Sequence, residues 1–140
     1  MDAKSLGTKL FIECWNQGKF EVLDDILNPK HIFHLAEGDL EGIPAYRELL
    51  EGYYRALNPT FELKHVIGEG SYAAIHYTES GTFLNDWITA ESTYKATGKK
   101  YSTFGVELIN VNEGKIVEAW PGHDSLTHYT QIGLAELKRV

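Results

Sequence analysis

The sequence predicts an α+β domain in which helices cover one face of an antiparallel sheet. Two observations support this fold class. Apolar residues recur at helical spacing as far as Leu57, and from Phe61 onward they alternate with polar residues as in strands. Turns that contain glycine separate the alternating segments. A chain of 140 residues has the length of one ordinary domain, so we assign residues 1–140 to a single domain.

Helices are expected in the N-terminal part of the chain. An apolar stripe over residues 6–15 predicts the first helix, and residues 20–27 predict a second, short one. Pro44 suits the first turn of a third helix, which continues to Leu57. Between the second and third helices, residues 31–35 form a brief apolar run that we expect to be extended.

Strands are expected in the second half, and a final helix at its end. The alternation predicts strands over residues 61–67, 72–83, 100–111 and 115–120. An irregular stretch over residues 84–95 interrupts this pattern, and the tail from Ser125 can form a helix. There is no glycine-rich phosphate loop, which argues against most nucleotide-based functions.

The charge and composition narrow the class of partner. Thirteen basic and twenty acidic residues give a net charge of −7, without the concentrated cationic surface that nucleic acids or anionic membranes attract. The single cysteine, Cys14, cannot form an intramolecular disulfide and is expected to be a buried structural thiol. No secretory signal and no apolar run of membrane-spanning length are evident, so we expect a cytoplasmic protein.

Asp124 is the leading candidate for acid–base chemistry. It follows the strand that ends at Trp120, and a partly desolvated carboxylate at a strand end would have a raised pKa. The alternative is that Asp124 caps the last helix, where an acceptor oxygen satisfies free N–H groups. Ser125 could cap equally well and would leave Asp124 available.

Glu107 is a second candidate, because it interrupts an otherwise apolar strand. Strand alternation places it on the same side as Tyr101, Gly105 and Ile109. Its carboxylate either meets solvent on the open face of the sheet or enters a pocket on the covered face, and the pattern alone leaves both possibilities open.

Histidine and aromatic residues supply further candidates. The spacing of His31 and His34 is a weak metal signal without other strong ligands, so we expect no metal; His34 could instead orient a substrate carbonyl. His76 lies in the middle of a strand and is a core residue, a cross-strand contact or a binding residue. Four aromatic side chains are either plain core or walls of an apolar pocket: Trp15, Tyr53, Trp87 and Trp120.

Several segments, taken in order, resemble the SnoaL-like polyketide cyclases of the nuclear transport factor 2-like fold group. The segments that carry the resemblance are residues 14–18, 20–27, 31–34, 40–42, 75–82, 97–99 and 112–120, followed by Asp124. They extend over nearly the whole chain. Two departures concern residues 87–98, which differ from the stretch usual in the family, and His76, where a basic residue is common.

The resemblance implies a conical pocket between a strongly curved antiparallel sheet and the N-terminal helices, often in a homodimer. It implies an intramolecular aldol ring closure without metal or cofactor, with an aspartate after the last strand as the acid–base group. Asp124 occupies that position. His34 falls at a family histidine near the cavity, and Glu107 at an inward polar position.

Three functions follow as hypotheses. The first is a cofactor-free enzyme of secondary metabolism that cyclises a polyketide-like substrate, with Asp124 as acid–base group and with Glu107 and His34 assisting. The second uses the same groups for isomerisation, dehydration or rearrangement of a terpenoid or steroid-like compound. The third is a non-catalytic binding module, in which Asp124 is only a helix cap and Glu107 points to solvent.

Overall fold

The computed structural model describes residues 1–140, and its mixed α and β architecture confirms the predicted fold class. The helices are α1 (Ala3–Lys9), α2 (Leu23–Ile26), α3 (Ile43–Leu57) and α4 (Ser125–Gln131); a π-helical segment, Leu10–Asn16, continues α1, and a 3₁₀ turn, Phe20–Val22, precedes α2. The strands are β1 (Leu27–Leu35), β2 (Gly38–Glu41), β3 (Thr60–Glu69), β4 (Tyr72–Thr82), β5 (Trp87–Ile88), β6 (Thr93–Tyr94), β7 (Lys100–Asn112) and β8 (Lys115–His123). None of the helices combines the length and the hydropathy that crossing a bilayer requires.

Six strands form one curved sheet in the order β2-β1-β8-β7-β4-β3. All neighbouring pairs are antiparallel except β1 and β8, which run parallel. The alternating pattern of the sequence predicted an antiparallel sheet and did not reveal this parallel pair. A parallel pair requires a long connection, and here most of the chain lies between its two strands.

The N-terminal helices cover the inner face of this sheet. Leu6, Leu10 and Phe11 are almost completely buried, as the predicted apolar stripe requires. Asn16 fixes the end of the π-helical segment to β3, because its side chain donates to the Phe61 carbonyl (2.8 Å) and accepts from the Phe61 N–H (2.7 Å). These two hydrogen bonds hold the neighbouring Trp15 ring against the Phe61 ring, with centroids 5.3 Å apart.

Burial along β7 alternates strictly, which separates the two faces of the sheet. Tyr101, Thr103, Gly105, Glu107 and Ile109 point inward and are buried, whereas the residues between them are exposed. Glu107 therefore lies on the covered face, which settles the choice that the sequence left open.

The short hairpin of β5 and β6 and the final helix α4 close the far end of the sheet through a second apolar cluster around Phe83 and Ile132.

Gly105 is required where β7 passes beneath Tyr77. A Cβ atom at this position would lie 2.5 Å from the Tyr77 hydroxyl oxygen and 2.7 Å from the Gly122 carbonyl oxygen. The absence of a side chain therefore lets the Tyr77 phenol lie across β7 beside Glu107.

We predict that Gly105→Ala lowers the free energy of unfolding by about 1–3 kcal/mol, because the added methyl group overfills this contact. Urea denaturation measures the loss. In the double variant with Tyr77→Phe, part of the loss should be recovered, because the nearest clashing atom, the phenol oxygen, is gone, whereas the Tyr77 Cζ atom and the Gly122 oxygen remain at 2.7 Å. Strictly additive losses would contradict the proposed contact.

Candidate active site

A small cavity lies between the inner face of the sheet and the N-terminal helices. Its volume is about 120 Å³, which suits one ring of a small molecule. Aromatic and carboxylic side chains dominate its wall, and no lysine or arginine contributes to it. The lining residues are Phe11, Trp15, Phe33, Leu35, Glu37, Leu49, Tyr53, Phe61, Tyr77, Glu79, Trp87, Glu107, Pro121, His123 and Tyr129.

Glu107 is a buried carboxyl without a hydrogen-bond partner. Only 4% of the residue is exposed, and its Oε2 atom is sealed from solvent and accepts no hydrogen bond. Glu107 pairs with Ile75 of the neighbouring strand β4, so its side chain projects inward from the middle of the sheet. Burial alone raises the pKa of Glu107 to about 8. At neutral pH the carboxyl therefore keeps its proton and is a hydrogen-bond donor.

Phenol and indole groups surround Glu107. Burial and the nearby Glu107 carboxyl raise the pKa of both Tyr46 and Tyr77, so both hydroxyls keep their protons. The buried Trp15 indole N–H lies beside the Tyr46 hydroxyl, and this contact partly opposes the rise in the pKa of Tyr46.

A second buried carboxyl, Glu79 of β4, has the opposite environment. Its Oε2 atom accepts hydrogen bonds from the Tyr53 hydroxyl (2.5 Å) and the Tyr101 hydroxyl (2.6 Å). Burial raises the pKa of Glu79, and the two phenol hydrogen bonds oppose that effect because they stabilise the carboxylate. Glu79 and Glu107 thus share one cavity but differ in how their charge is compensated.

Asp124 does not line the cavity. It is exposed and serves as the N-cap of α4, where its carboxylate accepts from the Thr127 N–H (3.0 Å) and the Thr127 hydroxyl (2.6 Å). These hydrogen bonds lower the pKa of Asp124. The structure therefore corresponds to the capping alternative. The expectation of a raised pKa for Asp124 is wrong, because the carboxylate is stabilised by hydrogen bonds at the start of α4 instead of being desolvated in the apolar interior. Its neighbour His123 reaches the cavity instead.

Three other candidates also lie away from the cavity. The side chain of His34 forms an ion pair with Asp39 and another with Glu118, both at 2.9 Å, and its ring stacks on Trp120 with centroids 4.9 Å apart. These carboxylates raise the pKa of His34. His76 contacts His65 across β3 and β4, with their Nδ1 atoms 2.9 Å apart. None of His34, His76 and Trp120 is among the residues that line the cavity.

The remaining predicted aromatic residues come together at one end of the cavity. Tyr53 packs edge-on against both Trp15 and Trp87, with each pair of ring centroids 5.5 Å apart. Trp87, from the irregular segment, thereby closes the wall beside Glu79. A role for these three rings in binding substrate stays a prediction.

Sequence reasoning missed Glu79, Tyr77, Tyr101 and His123. A signal was present for the first two, because Ala73, Ile75, Tyr77 and Glu79 alternate in phase and Ala73 and Ile75 are apolar. A glutamate at an inward position of β4 therefore had the same pattern as Glu107 on β7. No local signal distinguishes His123, because the last strand is three residues longer than the sequence predicted.

The comparisons with known proteins identify the family. The sequence profile of the SnoaL-like polyketide cyclases matches residues 7–132, so the chain belongs to this family. No curated protein sequence gives a significant match. No group of three side chains is arranged as a metal site.

Solved structures show the same fold at low sequence identity. TsrD from Streptomyces laurentii is 20% identical, with 94% of this chain and 95% of that chain covered and a TM-score of 0.80. A protein from Jannaschia sp. CCS1, provisionally assigned as a SnoaL-like polyketide cyclase, is 18% identical, with coverages of 94% and 92% and a TM-score of 0.81. AclR from Streptomyces galilaeus, provisionally assigned as a hydroxylase, is 19% identical, with coverages of 96% and 97% and a TM-score of 0.79.

The raised pKa of Glu107 predicts how stability depends on pH. The folded state holds a proton that the unfolded state releases between the ordinary glutamate pKa of 4.5 and the folded pKa of about 8. The contribution of Glu107 to stability is therefore greatest below pH 4.5 and falls by up to about 1.4 kcal/mol per pH unit until the folded pKa is passed.

We predict that Glu107→Gln removes this dependence, so that the variant gains stability relative to the wild type as the pH rises from 4.5 to 8. Urea denaturation at a series of pH values measures the difference. Glu69→Gln, in which an exposed glutamate changes, is the matched control and should show no such trend. A pH-independent difference for Glu107→Gln would show that this carboxyl titrates normally.

Proposed function

We propose that the protein is a cofactor-free, cytoplasmic acid–base enzyme of secondary metabolism that closes a ring in a polyketide-like substrate by an intramolecular aldol reaction. The observation that carries this proposal is the partnerless carboxyl of Glu107 in a small aromatic cavity. Strongly perturbed titratable groups in clefts concentrate at functional sites. The family membership supports the same class of chemistry.

Glu107 is the acid in this proposal. The attack of an enolate carbon on a carbonyl carbon forms a C–C bond and leaves an alkoxide on the former carbonyl oxygen. A protonated carboxyl can first donate a hydrogen bond to that oxygen and then transfer its proton to the alkoxide. The protonated phenol of Tyr77, beside Glu107, can donate a second hydrogen bond to the substrate. The cavity is open at one side, and its aromatic wall can hold the two reacting ends of the substrate close together.

Two alternatives use the same cavity. An isomerase, dehydratase or rearrangement enzyme acting on a terpenoid or steroid-like substrate would use the same acid. The capping role of Asp124 favours the third hypothesis, a non-catalytic binding module, whereas the buried Glu107 argues against it, because that hypothesis required Glu107 to point to solvent. The unpaired Glu107 favours catalysis over simple binding, since an apolar carrier gains nothing from a buried carboxyl.

In this proposal Asp124 and His34 support the structure and do not contact the substrate. Asp124 caps α4, and this helix carries Tyr129 to the cavity. His34 connects β1, β2 and β8 through its two carboxylate partners on the outer face of the sheet.

We predict that Glu107→Gln lowers cyclisation by about 10²- to 10⁴-fold, because an amide fills the same space but transfers no proton. Candidate linear poly-β-carbonyl esters are incubated with the enzyme, and their products are separated and identified by mass spectrometry. An aldol ring closure leaves the mass unchanged, whereas a dehydratase product has lost one water.

The matched control is Asp124→Asn, in which asparagine caps α4 as well as aspartate does, so activity should stay within a few-fold of the wild type. The reverse result, with Asp124→Asn inactive and Glu107→Gln active, would transfer the acid–base role to Asp124. If no product forms with any variant and the compounds still bind, the binding-module hypothesis replaces the enzyme.

We also propose that the protein forms a homodimer through the outer face of the sheet. Phe104, Val106 and Leu108 project from β7 on this face and are 58%, 43% and 38% exposed. Ile67 lies on the same face, because its β4 partner Ala74 pairs with Leu108. An exposed row of apolar side chains across several strands indicates a surface that a partner protein covers. A second copy of the chain can cover it, because a twofold axis places the same row of side chains opposite the first.

We predict that Val106→Glu converts the dimer to a monomer, because it would place two carboxylates at the apolar interface. Analytical ultracentrifugation gives the mass of each form. Ile88→Glu, which changes an exposed apolar side chain on the separate β5–β6 hairpin, is the control and should leave the dimer intact. A wild-type protein that sediments as a monomer would refute the interface.

A further inference from the structure

Glu107 is assigned as the acid, but an aldol reaction also needs a base. This base must first remove a proton from the carbon atom next to a carbonyl group. A base inside the cavity has to be ionised while Glu107 is protonated. Hydrogen-bond donors aimed at one carboxyl and absent from the other produce this difference. In this cavity, the carboxyl that receives such donors is Glu79.

The donors come from two different elements. Tyr53 projects from α3 and Tyr101 from β7, and both hydroxyls donate to the same Oε2 atom of Glu79. The other oxygen, Oε1, accepts no hydrogen bond from the protein and is not among the sealed atoms. Since Glu79 lines the cavity, Oε1 is the oxygen available to a guest.

Several other titratable groups lie near Glu79. Glu37 and His123 also line the cavity, and burial lowers the pKa of His123, which favours its neutral form. Burial raises the pKa of Tyr77 on β4 and of Tyr129 on α4, so both phenols stay neutral. His128 of α4 is completely buried, with its ring centroid 4.1 Å from that of Tyr101. Burial lowers the pKa of His128 to about 4, so it is neutral at physiological pH. The two phenol hydroxyls are therefore the groups that compensate the Glu79 carboxylate.

The placement of the two carboxyls suits a shared substrate. Glu107 pairs with Ile75, and Glu79 lies four residues further along β4, which separates the two backbones by about 13 Å along the strand direction. Both side chains point inward, and Tyr77 lies between them on β4. This separation is longer than one ring, so the two side chains have to converge on the cavity that both of them line.

We infer that Glu79 is the base that complements Glu107, with its carboxylate held by Tyr53 and Tyr101 and its Oε1 atom accepting a proton from a carbon acid in the cavity. This inference rests on the proposed function for the acid role of Glu107. In the reaction, Oε1 takes the α-proton, and the electron pair of the C–H bond becomes the enolate. The enolate carbon then attacks the carbonyl carbon, and the resulting alkoxide takes the proton of Glu107. One proton enters the protein and one leaves it, so atoms and charge balance.

The first experiment measures the order of titration without any substrate. Protein with ¹³C-labelled glutamate side chains is titrated by NMR, and Glu79→Gln and Glu107→Gln assign the two buried carboxyl signals. We expect Glu79 to lose its proton at a lower pH than Glu107. Tyr53→Phe and Tyr101→Phe should each raise the midpoint of Glu79, because each removes one hydrogen bond to its carboxylate. A midpoint of Glu79 at or above that of Glu107, or one that neither Tyr→Phe change moves, would overturn the inference.

The second experiment tests the base directly with a probe, 5-nitrobenzisoxazole. A base removes the proton from C3 of this compound, the C–H electrons form the nitrile, the N–O bond breaks, and the oxygen leaves as a coloured phenolate. We expect the protein to accelerate this elimination relative to free acetate, and Glu79→Gln to lower the rate by about 10²-fold. Tyr53→Phe should shift the acidic limb of the pH–rate profile upward, an effect that a merely structural role of Tyr53 would not produce.

Glu69→Gln, at the exposed end of β3 beside the turn to β4, is the control and should leave the elimination rate unchanged. No acceleration over acetate, or an equal rate in Glu79→Gln, would overturn the assignment of Glu79 as base. Neither experiment requires cyclisation, so the base assignment can fail while Glu107 remains the acid, and the reverse is also possible.

Discussion

The strict alternation of β7 is the constraint on which the rest of the site depends. It forces every second side chain of this strand into the interior, and at position 107 that side chain is a carboxylic acid. No interior donor reaches Glu107 at hydrogen-bond distance, so the state of lower free energy is the protonated one. A neutral carboxylic acid at neutral pH follows from strand geometry and burial, without any specific partner.

Burial of this kind lowers stability, and the fold compensates nearby. Gly105 makes room for Tyr77, Asn16 ties the first helix to β3, and aromatic rings pack around the cavity from both layers. Phe11, Phe61 and Tyr77 form a continuous group with centroid distances of 5.0–5.2 Å. A rigid aromatic wall keeps water away from Glu107 and therefore maintains the pKa that an acid needs. The same burial that lowers stability at the carboxyl thus keeps its proton available at the site.

The sequence predicted the elements well because their signals are local. The helical stripes of α1 and α3, the phase of β7 and the turn before β8 depend on residues close together in the chain. The parallel pairing of β1 with β8 depends on strands that are about ninety residues apart, and periodicity carries no information about such partners. For the same reason, the alternation along β4 could predict that Glu79 points inward. It could not predict the two tyrosines that donate to Glu79, because they lie on α3 and β7.

Asp124 shows how a local rule and a family expectation can compete for one residue. The sequence offered two roles for it, a helix cap and a carboxyl facing the cavity, and one carboxylate cannot point in both directions. The start of α4 supplies an N–H group and a threonine hydroxyl at hydrogen-bond distance, which compensate a full charge at the surface. The cavity would have had to desolvate the same charge without donors. Capping is therefore favoured for Asp124. A carboxyl that faces the cavity must come from a residue whose side-chain direction is fixed by strand alternation, as in the middle of β4 and β7.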